Sequence, residues 1–301
     1  MRVPLPLACL ALSALALPGA AQVLDDTPRI AVMSAFAPEW SVLQEGLEAP
    51  EAHAINGRDY VTGRIAGQDV VLVLSGVSMV NAAMTTQIAL DRFEVSAIVF
   101  SGIAGGVDPS LEIGDVVVPQ QWGQYLDAIM ARETPDGFAI PPWMTSDFEN
   151  FGMRFVRDQT VRREGGNGPE ERFWFPVDPG MLETARTVAE ETSLAACAGA
   201  DDCLSEAPQV VVGGNGVSGA AFVDNADLRE WAFETFEARV LDMESAAVAH
   251  VAYANDVPFI AFRSLSDLAG GGDGANEMET FMDIAATNSA SVMRAFLAAL
   301  E

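Results

Sequence analysis

The 301-residue chain has no lysine, two histidines (His53 and His250) and three cysteines. Each scarcity removes a class of chemistry. Without lysine there is no Schiff-base catalysis and no phosphate loop of the kind that depends on that side chain. Two histidines cannot build a multi-histidine metal centre, and no cofactor is called for. Positive charge is scarce throughout, with 16 arginines against 43 acidic residues and a net charge of −27. A field of that sign opposes nucleic acid and anionic membrane surfaces, and it does not favour polyanionic substrates. The same acidity also serves solubility, so it names no substrate by itself.

Residues 1–21 read as a secretory leader. Arg2 supplies the positive start, residues 5–17 an apolar core too short to cross a membrane, and Gly19-Ala20-Ala21 a small-residue cleavage site. The alternative is a buried N-terminal helix. Export to a periplasm or beyond is the expectation, and residues 22–301 are then a single domain. In that setting Cys197 and Cys203, six apart, are expected to form a local disulfide, since two thiols cannot hold zinc unaided.

Apolar runs at 29–35, 70–74, 97–100, 116–118, 210–213 and 258–262 read as buried strands. Helical spacing or start signals mark 80–93, 178–191, 225–236, 243–255 and 279–300. This alternation predicts an α/β fold, a three-layer α/β/α sandwich around a central mixed β-sheet. The pattern breaks at about 134–175, where prolines, the Gly165-Gly166-Asn167-Gly168 cluster and Trp143, Phe151, Phe155 and Trp174 indicate an insertion rather than a second domain.

Ligands of open α/β sheets bind where strands end, and the suggestive motifs coincide with strand exits. Ala35-Phe36-Ala37-Pro38-Glu39 follows the first strand. Pro38 at the start of a helix would place Glu39 in the first turn, where the dipole favours an ionised carboxylate. Ser101-Gly102-Ile103-Ala104-Gly105-Gly106 reads as a glycine turn whose backbone approaches a ligand closely. Gly214-Asn215-Gly216-Val217-Ser218-Gly219 formally matches a dinucleotide fingerprint. However, Ala220 to Val223 separate it from the next helix, which the fingerprint does not allow. Asp242-Met243-Glu244 precedes a helix, and Arg263-Ser264-Leu265-Ser266-Asp267 follows the last strand.

In order and spacing, these segments resemble the nucleoside phosphorylase/nucleosidase superfamily over about 29–118 and 175–300. The likeness is greatest to the methylthioadenosine/S-adenosylhomocysteine nucleosidases. The resemblance implies a water-activating role for Glu39 and protonation of the departing purine at N7 by Asp267. It implies that Phe222 stacks on the base and the Val223 backbone reads its edge. Met243 would pack under the sugar, and Glu244 would hold the ribose 2′- and 3′-hydroxyls. Ile103, Ala104 and Gly105 would lie against the ligand, Phe36, Val77 and Met278 would line its 5′ end, and Arg263 would orient the water or the acid. The family usually carries serine where Ile103 stands, so an apolar side chain there is expected to raise the acid's pKa. With no arginine in the Phe36–Glu39 or Ser75–Met79 segments, water rather than phosphate is the expected nucleophile.

The expected partners are a small purine nucleoside and water, with no nucleic acid and no membrane. Relatives form dimers or larger rings, so a homodimer or larger homo-oligomer is expected. A phosphate-dependent phosphorylase and a non-catalytic nucleoside-binding protein are the alternatives. Gly270 to Gly274 is either a mobile lid or a loose connector.

Overall fold

The computed structural model describes residues 23–197, 203–272 and 274–300. The expected leader lies outside them. β1 (Asp25–Ser34) feeds α1 (Ala37–Gln44), and a meander of β2 (Glu48–Ile55), β3 (Arg58–Ile65) and β4 (Gln68–Leu74) follows. Next come α2 (Met79–Arg92), the long β5 (Phe93–Gly106), β6 (Val116–Val118) and β7 (Gln121–Gln124). Short strands fill the middle: β8 (Ala128–Met130), β9 (Arg132–Thr134), β10 (Gly137–Ala139), β11 (Arg154–Val156), β12 (Gln159–Arg162), β13 (Pro169–Arg172) and β14 (Trp174–Pro176). After α3 (Pro179–Glu191) come β15 (Val210–Val212), β16 (Asn215–Ser218), α4 (Ala226–Phe236), β17 (Ala238–Asp242) and α5 (Ser245–Ala254). β18 (Phe259–Asp267) and α6 (Met278–Ala299) close the chain.

Twelve strands form one mixed sheet, running β14-β7-β16-β17-β5-β1-β4-β3-β2, with β18 joined to β5 and β6, and β15 joined to β6. β1 is parallel to β4 and β5, and β18 is parallel to β5, whereas β17 meets β5 antiparallel. α6 packs on β5 and β18 with α1 and α3 beside it, while α2 and α5 pack against each other and reach β5, β7 and β16. Helices on both faces of a mixed sheet make the three-layer sandwich. The central strands are buried on both sides and therefore read as unbroken apolar runs, such as Ile30 to Met33 and Val70 to Val73. Among the described residues, no helix is long and apolar enough to cross a membrane.

Residues 134–175 build no separate core. Phe148 and Phe173 lie tilted with ring centroids 4.4 Å apart, and both pack on Phe236 of α4. Phe151 lies against Trp231. β14 then pairs with β7 and returns the chain to the main sheet. Cys197 and Cys203 are joined by a disulfide.

Four local expectations need correcting. Residues 101–106 are not a turn, because β5 runs straight through to Gly106 and its ladder with β18 continues there. β18 likewise extends past Phe262 to Asp267, so that carboxylate belongs to the strand itself. Pro38 is the second residue of α1, not the first. Helix α5 begins at Ser245, with Glu244 as its N-cap residue, rather than at Met243.

Candidate active site

β1, β4, β5 and β18 run parallel and bring their C-terminal ends to one edge of the sheet, where a cavity of about 350 Å³ opens. The β1–α1 connection contributes Phe36 and Glu39, and the segment before α2 contributes Val77. β5 supplies Ile103, Ala104 and Gly105. Phe222 and Val223 come from the stretch after β16, Met243 and Glu244 from the start of α5, Asp267 from the tip of β18, and Met278 from α6. Most of this lining is hydrocarbon, and the polar contribution comes from a few buried carboxylates.

Glu39 is held from three directions. Its Oε2 accepts hydrogen bonds from the backbone N–H groups of Ala35 (2.8 Å) and Phe36 (2.9 Å), and its Oε1 accepts from that of Ile103 (3.0 Å). As the third residue of α1, bonding back to the N-cap N–H, it completes half of a capping box while facing the cavity. Burial pushes its pKa up, against the pull of Arg263 and the three N–H donors. The helix start therefore does not set its charge state, as the sequence had suggested; desolvation outweighs it.

Arg263, expected to orient the water or the acid, is not among the residues lining the cavity. It is fully buried behind the cavity, its Nε 2.8 Å from Asp242 Oδ2 and 2.9 Å from Ser245 Oγ, with its guanidinium over the Phe100 ring. Nη1 donates to the Ile103 carbonyl at 3.3 Å, and Nη2 stands 3.7 Å from Glu244 Oε2. Asp242, which sequence reasoning passed over, anchors this network. Its Oδ1 accepts from Ser218 Oγ and from the backbone N–H groups of Glu244 and Ser245. The available signal was its place two residues before Glu244 at the end of a strand.

Glu244 Oε1 accepts from Ser78 N at 2.7 Å. Burial, together with Asp242 and Glu39 nearby, pushes its pKa up to about 7 despite Arg263 and the Ser78 bond. Asp267 is also raised, chiefly by burial. Its Oδ1 accepts from Ala269 N (2.8 Å) and Asn276 Nδ2 (3.3 Å), and its Oδ2 from Ser266 Oγ (3.0 Å). Ile103 shares the cavity wall with it and brings only hydrocarbon. Phe222 is 56% exposed, an aromatic face free to take a planar ring, and Val223 beside it is buried.

A model of the phosphorylase superfamily matches residues 29–298. A 5′-methylthioadenosine/S-adenosylhomocysteine nucleosidase of Tolumonas auensis is 29% identical over 270 residues, spanning 89% of this chain and 98% of that protein. Among solved structures, the nucleosidase of the same description from Colwellia psychrerythraea, in complex with adenine, is 27% identical with a TM-score of 0.68. It covers 91% of this chain and 96% of its own. The Neisseria meningitidis nucleosidase, in complex with methylthio-immucillin-A, is 25% identical with a TM-score of 0.67, over 91% and 100%. The match takes in every strand that reaches the cavity and every carboxylate around it, and this chain belongs to the phosphorylase superfamily.

Proposed function

We propose that the protein is an exported nucleosidase that hydrolyses the N-glycosidic bond of a purine nucleoside carrying an apolar 5′ group, such as 5′-methylthioadenosine. The observation that carries this reading is the set of buried carboxylates, Glu39, Glu244 and Asp267, around one otherwise apolar cavity. A binding site alone needs a diol-holding carboxylate and an aromatic face. It does not need two further buried acids whose desolvation opposes folding.

In the proposed reaction, Phe222 lies on the base and Glu244 accepts hydrogen bonds from the ribose hydroxyls. Asp267 passes its proton to N7 as the C–N electron pair leaves with the base. Glu39 accepts a proton from the water that adds to C1′. An oxocarbenium-like sugar is favoured by carboxylates nearby, and a neutral leaving base lowers the barrier further. Water suits the site better than phosphate, because among the described residues no arginine lines the cavity and Arg263 is committed to Asp242 behind it. Phe36, Val77 and Met278 offer hydrocarbon to the 5′ group.

Free-base release from methylthioadenosine, adenosine and inosine, each with and without phosphate, tests the reading. Release without phosphate, lost in Glu39→Gln and Asp267→Asn, is the expected result. Release only with phosphate would make the protein a phosphorylase, and binding without release would make it a carrier. Export rests on residues 1–21 and is checked by N-terminal sequencing of the mature protein. Self-association is supported by exposed apolar residues on and before α2, Val77, Val80 and Met84, with Val80 79% exposed. A homodimer or larger assembly by light scattering is expected, and a monomer at micromolar concentration would refute it.

A further inference from the structure

We propose that Asn276 is a positioning residue for the acid, confining the Asp267 proton to Oδ2 and tying that carboxyl to the segment that lies along the base. The role in turnover rests on the nucleosidase reading above; the hydrogen-bond assignment does not. Asn276 stands just before α6, outside every motif singled out in the sequence. Its amide orientation is fixed, because its Oδ1 accepts from the backbone N–H of Met278 at 3.0 Å. Nδ2 therefore points the other way and has two hydrogens to give. One goes to Asp267 Oδ1 and one to Asp224 Oδ1, each at 3.3 Å. Asp224 directly follows Val223, so one amide links the acid to the cavity wall assigned to the base.

The consequence for the proton follows from donor counting. Asp267 Oδ1 is approached by two N–H groups, Ala269 N and Asn276 Nδ2, and neither can accept a hydrogen bond. A proton on Oδ1 would displace one of them. Oδ2 faces the Ser266 hydroxyl at 3.0 Å, which can accept as well as donate. Ser266 Oγ also has the Ala104 carbonyl within 3.4 Å to receive its own hydrogen. With the proton on Oδ2, every group in the chain Asp267–Ser266–Ala104 is satisfied. When a purine enters, the Oδ2 proton turns from Ser266 to N7, the C–N electron pair leaves with the base, and Asp267 is left as the carboxylate. Ile103, on the same wall, offers no hydroxyl to share the task.

The test follows Asp267 and turnover separately, in the full mature protein. The Asp267 carboxyl titration is read by 13C NMR and assigned by its disappearance in Asp267→Asn. In Asn276→Ala the loss of an N–H donor is expected to move that titration to higher pH. On methylthioadenosine, kcat is expected to fall about tenfold, the scale of one hydrogen bond to a charged group. KM should move less, and the alkaline limb of the rate profile should shift upward. Asn276→Asp, which replaces the donor by a second carboxylate, should behave as a pair sharing one proton. The shared proton should be held to higher pH than in the wild type, so the alkaline limb of the rate profile should move up further than in Asn276→Ala. An unchanged Asp267 titration in Asn276→Ala overturns the proposal, as does a loss confined to thermal stability and KM. If the titration moves but the wild type releases no base, the nucleosidase reading falls and the Asn276–Asp267 coupling stands.

Discussion

Glycine at 102 is what lets Arg263 and Glu39 stand so close together at the back wall of the cavity. A Cβ there would meet Arg263 Nη1 at 2.3 Å and Glu39 Oε1 at 2.8 Å, so at least one of the two side chains would have to shift. Arg263 is pinned by Asp242 and Phe100, and Glu39 by three backbone N–H groups. Gly102→Ala is therefore expected to fold and keep ligand affinity while displacing the base. A misplacement of about 1 Å costs on the order of a hundredfold in rate, which kcat on methylthioadenosine would reveal. A wild-type kcat in that variant would mean Glu39 is not the base. The raised pKa of Glu39 gives a second prediction at the same scale. The base must be ionised and the acid protonated, so the rate profile is bell-shaped, its limbs belonging to the coupled carboxylates as a set. Because burial raises Glu39, the ascending limb is expected above the ordinary carboxylate range. A profile already flat by pH 4.5, the ordinary glutamate value, would contradict that assignment.

Elements hold these residues through a few strained or extended positions, and Ser78 shows the cost most directly. It sits at φ 82° and ψ 160°, a region suited to glycine, and its N–H donates to Glu244 Oε1. Strain of this kind costs about 1–3 kcal/mol and persists where a site needs it. Ser78→Gly should match or exceed the wild-type melting temperature with the diol contact intact. Ser78→Val should lose stability and raise KM; equal stability of the two variants would show that the backbone relaxes there. The same extended geometry explains what could and could not be read from sequence. β1, β4, β5 and β18 were visible as apolar runs, whereas the short β16 and β17 were not; the carboxylates read alone as ordinary helix-start or surface charges, and only the resemblance to the family gave them roles. β5 and β18 were cut short because their last residues, Ser101 to Gly106 and Ser264 to Asp267, have the composition of loops. They stay in the ladder only because β5, β6 and β18 pair there. β2 was missed because it is a largely exposed edge strand containing Pro50, although the Asn56-Gly57 turn, with φ 52° and 74°, marks its hairpin with β3. The roles of Asp242, quoted only as part of the Asp242-Met243-Glu244 segment, and of Asn276 were hidden for a different reason. Their roles depend on partners 21 and 9 residues away, Arg263 and Asp267, that only the folded sheet brings to them.

For the whole molecule, the site sets a burden that grows with pH. Glu39, Glu244 and Asp267 all have folded-state pKa values above their ordinary ones, and Glu244 reaches about 7. A carboxyl raised on folding binds its proton more tightly in the native state than in the unfolded chain. Its contribution to stability is complete below the unfolded value and is lost as pH rises through the folded one. For Glu244 that window runs from the ordinary 4.5 to about 7. The net charge of −27 acts in the same direction, since self-repulsion increases as the remaining carboxyls ionise. The unliganded protein is thus expected to melt at a higher temperature near pH 5 than near pH 8. Glu244→Gln should flatten this dependence, because a glutamine oxygen still accepts from Ser78 N but carries no charge to desolvate. Its melting temperature at the higher pH should exceed that of the wild type, while nucleoside binding weakens through loss of the ionic diol contact. Identical pH slopes in the two proteins would place the burden on surface repulsion instead of the cavity. A flatter slope together with weakened binding would tie both properties to one buried carboxylate, kept charged for a ligand at the expense of the empty fold.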